Sequence, residues 1–73
     1  QTQLPYSVIC EGKRMGNNIK KCNLDENKVD SLLNKLQLKQ EDILLMLVTG
    51  GDDFYLQPKK GKFVSGKISE EVG

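Results

Sequence analysis

Histidine and tryptophan are absent from this 73-residue chain, and the aromatic residues are only Tyr6, Tyr55, Phe54 and Phe63. Without an imidazole neither a Ser-His-Asp triad nor a Cys-His pair can form, since both need a group that titrates near neutral pH. Structural zinc takes four cysteine or histidine ligands, and only Cys10 and Cys22 are present. A metal could be held only by carboxylates, and neither a metal nor a cofactor is expected. One possible bridge is not the disulfide framework of a secreted mini-protein. Cys10 closes the apolar run Tyr6-Ser7-Val8-Ile9-Cys10, which reads it as a small buried hydrophobe in a reducing compartment. No enzymatic constellation is visible.

Excess charge is lacking too. Eleven basic residues against ten acidic ones leave a net charge of +1, unlike the strongly basic profile of a nucleic-acid binder. The few aromatics show no base-stacking pattern. The longest apolar run, Ile43 to Val48, is far short of the ~20 residues of a membrane span, and no signal-peptide pattern precedes it. The chain starts at Gln1 rather than Met and is expected to be a soluble piece of a longer or processed protein.

The apolar and charged fractions, 37% and 29%, suit one small globular domain. Pro5 opens a strand over Tyr6 to Cys10, and Glu11-Gly12 turns the chain. Gly16-Asn17-Asn18 reads as the start of a short helix, capped by asparagine, with Ile19 and Cys22 on one face. Asp25 caps the main helix, Glu26 to Leu36, where Val29, Leu32, Leu33 and Leu36 recur with a 3.6-residue period. Ile43 to Thr49 and Phe54 to Gln57 form a hairpin across the glycine-rich Thr49 to Asp53. The expected class is α+β, a small sheet of three or four strands with one main helix and one short helix packed on it. Residues 1–58 form the compact domain. Residues 59–73 form a basic, partly flexible tail, or add a short fourth strand at Lys62 to Val64.

The strand Ile43 to Val48 is apolar on both sides. Strict alternation sends Ile43, Leu45 and Leu47 one way and Leu44, Met46 and Val48 the other. Burying one such side chain is worth about 1.5–3 kcal/mol, so three left in water would forgo ~5 kcal/mol or more. Something should cover each face. The main helix can cover one, which makes Leu44, Met46 and Val48, with Tyr55 on the neighbouring strand, the candidate interface.

Three motifs invite a chemical reading. Gly50-Gly51-Asp52-Asp53-Phe54 differs by one residue from the GGDEF signature of diguanylate cyclases. Those domains are much longer, and their other metal- and guanine-binding residues have no room here. A hairpin reversal explains the same residues, and the cyclase reading is a remote alternative. Asp25 to Asp30 alternates oxygen ligands but lacks the glycine and distal glutamate of a calcium loop. Lys59, Lys60, Lys62 and Lys67 have no acid among them; Lys59, Lys60 and Lys62 are candidate anion-binding residues toward a lipid surface.

From Leu4 to Lys60, the order of features resembles the cytosolic C-terminal region of YetF-family bacterial membrane proteins. The resemblance lies in the proline-led strand and Glu-Gly-Lys turn, Leu4-Pro5-Tyr6-Ser7-Val8-Ile9-Cys10-Glu11-Gly12-Lys13. It continues in Asn18-Ile19-Lys20-Lys21, in Leu32-Leu33-Asn34-Lys35-Leu36, and in the last strand, Tyr55-Leu56-Gln57-Pro58-Lys59. The chain departs from the family pattern at Gly16 and Asn17, at Leu38 in the link and at Gly50 to Asp53 in the turn. The resemblance implies a parent with transmembrane helices upstream and this module on the cytoplasmic face of a bacterial membrane, in some members that of the spore. It implies no catalytic activity. It also implies paired α+β subdomains that associate, so self-association or a tandem subdomain would cover the free face of the sheet.

Overall fold

The computed structural model describes residues 5–22, 24–49 and 52–72. Five strands, β1 (Tyr6–Cys10), β2 (Lys13–Arg14), β3 (Ile43–Thr49), β4 (Asp53–Pro58) and β5 (Val64–Lys67), form one antiparallel sheet in the order β2-β1-β3-β4-β5. Three helices accompany it, α1 (Gly16–Lys21), α2 (Glu26–Leu36) and α3 (Ile68–Val72), with a 3₁₀ turn at Gln40–Asp42. The class is α+β, a five-stranded antiparallel sheet with one main helix and short helices packed on it.

Helix α2 forms where its capping and periodicity predict. The Asp25 carboxylate accepts from the Asn27 amide at 2.8 Å, and Val29, Leu32 and Leu33 are buried. Its end is closed by Gln37 in the left-handed region, φ 59°. The Gln37 amide donates to the Asn34 carbonyl and the Leu38 amide to the Leu33 carbonyl, a Schellman closure. Such a closure brings the residue after the left-handed position back onto the helix, which explains an apolar Leu38 in a polar link. Leu38 packs against the core.

Helix α1 differs from its expected start. Met15 stands at its N-cap without a side-chain bond. Asn18, expected as a cap, lies inside the helix and donates from Nδ2 to the Ser7 carbonyl at 2.9 Å. That carbonyl lies on the stretch of β1 that the two-residue β2 does not reach. Ile19 and Cys22 do share a buried face. Burial raises the Cys22 thiol pKa above its ordinary value, and both cysteines are free thiols.

The basic stretch after Pro58 holds more regular structure than a tail. Its strand covers Val64–Lys67 rather than Lys62 to Val64, and pairs with β4. Helix α3 follows, with Ile68 buried in the core. The signal was faint because Val64 is the only β-branched residue in Val64-Ser65-Gly66-Lys67. Gly66 lies against the Phe54 ring, which a Cβ there would meet at 3.4 Å, an ordinary contact.

All three helices lie on one face of the sheet. Ile19, Val29, Leu32, Leu33 and Ile68 form a single cluster with Ile9, Met46, Val48, Phe54 and Leu56. Arg14 ties the rim. Its Nε donates to Gln40 Oε1 at 2.6 Å, and its guanidinium pairs with Glu26 and Asp30 on α2. Among the described residues no buried side-chain polar atom lacks a partner, and no helix is long and apolar enough to cross a membrane.

Candidate interaction surface

Two β-bulges decide which side chains face outward. In the β1–β3 pairing the register shifts between Ser7 and Ile9, and in the β3–β4 pairing between Ile43 and Leu45. Each inserts a residue, Val8 and Leu44, and resets the alternation. Val8 and Ile9 are consecutive and both fully buried. Ile43 falls on the same buried side as Met46 and Val48, against the strict alternation expected from the sequence. The second bulge sits opposite Pro58, which has no amide hydrogen for the ladder. There the Glu11 and Gly12 amides donate to the Leu44 and Ile43 carbonyls at 2.7 and 2.9 Å.

The candidate interface is therefore divided. Met46 and Val48 have no exposed surface and lie beneath the helices. Leu44 and Tyr55 are exposed, at 45% and 41%. The outer face is built instead on two cross-strand rows. Cys10, Leu45 and Gln57 form one, and Ser7, Leu47, Tyr55 and Ser65 the other. Leu45 and Leu47 are half-buried. The Phe63 ring stacks on Tyr55 with centroids 6.0 Å apart and planes at 23°. Among the described residues no helix or strand covers this face. Sequence alternation did reveal that both sides of β3 are apolar, and it grouped Leu45 with Leu47 and Met46 with Val48; the bulge at Leu44, which leaves no local signature, puts Ile43 on the side of Met46 and Val48.

The three candidate anion-binding lysines, Lys59, Lys60 and Lys62, are exposed in the loop between β4 and β5. Lys59 and Lys60 flank an open notch of about 370 Å³, also lined by Leu38, Asp42 and Pro58. Lys67 stands apart. It pairs with Asp53 at 2.7 Å, and that hydrogen bond raises its pKa.

The acids after the paired glycines have structural partners. Gly50 and Gly51 lie outside the described residues. Asp52 accepts from the Ser69 amide and hydroxyl, each at 2.9 Å, and so holds the first turn of α3. The Ser69 amide bond, then the hydroxyl bond, lowers the Asp52 pKa. Asp53 takes Lys67, and Phe54 is buried in the core. Among the described residues no three histidine, cysteine or acidic side chains gather as a metal site.

No model of a known protein family matches the chain, and no curated protein matches it.

Proposed function

We propose that this chain is a non-enzymatic assembly or regulatory module, the cytosolic part of a YetF-like bacterial membrane protein, that works through the outer face of its sheet. One observation carries the reading. Leu45, Leu47 and Tyr55 form a continuous apolar patch, extended by Phe63, on a face that no helix covers. Large contiguous apolar patches mark interaction sites.

The size of the face sets the strength. Strands of two to seven residues, about 4.8 Å apart with a rise of about 3.4 Å per residue, present a footprint of ~400 Å². A stable interface buries ~800 Å² per partner. The face therefore supports a weak contact, effective when a parent chain or a shared membrane holds two such units together. Sedimentation velocity over a wide concentration range tests this. The expected result is reversible self-association in the high micromolar to millimolar range, abolished by Leu47→Lys. A strict monomer at all concentrations, together with a tandem fusion of two units that melts no higher than one, overturns it.

A further inference from the structure

The loop joining β4 to β5, residues 59–63, reads Lys-Lys-Gly-Lys-Phe. We propose that this loop docks the protein on an anionic lipid bilayer, with Phe63 in the headgroup layer and Lys59, Lys60 and Lys62 against the lipid phosphates. This goes beyond pairing through the sheet face: the two surfaces meet where Phe63 stacks on Tyr55, but only this one uses the loop lysines.

Phe63, at 55%, is the most exposed large hydrophobic side chain among the described residues. It is presented rather than loose. Its ring rests on Tyr55. The Gln57 side-chain amide donates to the Pro58 carbonyl at 2.9 Å and to the Gly61 carbonyl at 3.4 Å, bracing the loop from within. Gly61 bends the chain at φ 107°, a conformation that side-chain-bearing residues rarely adopt. Among the described residues none of Lys59, Lys60 and Lys62 is in an ion pair, whereas Lys67 is held by Asp53. No acidic residue occurs from Phe54 to Ser69.

The same observations favour a bilayer over a soluble phosphate. A phosphate site needs donors converging in a pocket, but Lys59, Lys60 and Lys62 are exposed side chains spread along one loop. A phosphate has no use for an exposed phenylalanine. An anionic membrane uses both features: the aromatic ring suits the interface, and each lysine near the surface strengthens binding about fivefold. Three lysines together are worth about a hundredfold, a gain that shrinks as salt shortens the Debye length.

The test is co-sedimentation of the whole chain with vesicles of phosphatidylcholine, alone or mixed with phosphatidylserine, at low and high salt. Binding is expected to require phosphatidylserine and to weaken with salt. The Lys59→Gln/Lys60→Gln/Lys62→Gln variant should lose about a hundredfold in partitioning, and Phe63→Ser about tenfold. A Lys20→Gln/Lys21→Gln variant, neutralising exposed charge on α1, should bind as the parent does. Thermal melts verify that each variant folds. Binding that ignores phosphatidylserine, or that falls as far with the α1 variant as with the loop variant, overturns the proposal. So does binding that survives Phe63→Ser unchanged and is displaced by free inositol hexaphosphate, which would assign the loop to a soluble polyanion.

Discussion

Besides Gly61, three described residues sit in the left-handed region, with consequences of opposite sign. Glu11 and Gly12, at φ 50° and 79°, make the two-residue reversal between β1 and β2, the geometry that favours Asn-Gly. Gly12 is doubly constrained, since a Cβ there would lie 3.2 Å from the Glu41 backbone. Gly12→Ala should destabilise by at least roughly 1–2 kcal/mol, the cost of a left-handed alanine. Gln37 carries the same strain at the end of α2, with no glycine to relieve it. Gln37→Gly should stabilise by up to about 1 kcal/mol. Thermal unfolding decides both, at about 4–8 °C per kcal/mol for a domain of this size. The Glu11-Gly12 turn was legible because glycine announces it. Gln37 was not, because glutamine marks no helix end.

At the level of elements, the bulges predict an alternation of tolerance along β3. Met46→Ala should cost about 2–5 kcal/mol as a core truncation. Leu45→Ala, one residue away on the half-buried outer side, should cost clearly less. Equal losses in chemical denaturation would contradict the assigned faces. Helix α3 has its own acid sensitivity. A carboxylate whose folded pKa is depressed stabilises the fold above its unfolded value, near ~3.9, and loses that contribution as pH falls through the folded value. Asp52 is such a group, held by the Ser69 amide and hydroxyl. Asp52→Ala should therefore melt below the parent at neutral pH, with the gap narrowing in melts taken below pH ~4.

Much of this level could be read in advance. The bounds of β1, α2 and β3 follow from Pro5, from the Asp25 cap with its leucine stripe, and from the unbroken apolar run. These signals lie within one segment. The missed features arise between segments. The Leu44 bulge lies where β3 meets Pro58, Asn18 answers a carbonyl of β1, and β5 forms because β4 offers a free edge. The outer-face patch was foreseen as a need to cover both sides of β3, but its members Leu45, Leu47 and Phe63 emerged only once the register was fixed.

For the whole molecule, the helices form one layer and the sheet the other, leaving an uncovered sheet face among the described residues and a basic aromatic loop, the two parts proposed to bind, which meet at Tyr55 and Phe63. Their failures are separable. Leu47→Lys should abolish self-association in sedimentation while leaving vesicle binding intact, and neutralising Lys59, Lys60 and Lys62 should do the reverse. A variant that removes both activities at unchanged stability would mean that the parts are one surface.

The strand directions add a consequence for reach. Tyr6, Val48, Phe54 and Gly66 lie in one cross-row at one end of the sheet, whereas the loop after Pro58 leaves from the other end, beside the turn after Cys10. The row of Tyr6 and Phe54 therefore lies four strand steps, about 14 Å along the strands, from Pro58, where the lysine loop begins. With the loop end on a surface and the strands upright, a tether joining an upstream anchor to Tyr6 must span that gap. About four extended residues are the minimum. The domain would then stand upright as a spacer, its chain doubled back along its own height, and tether length would govern whether the loop reaches the surface at all.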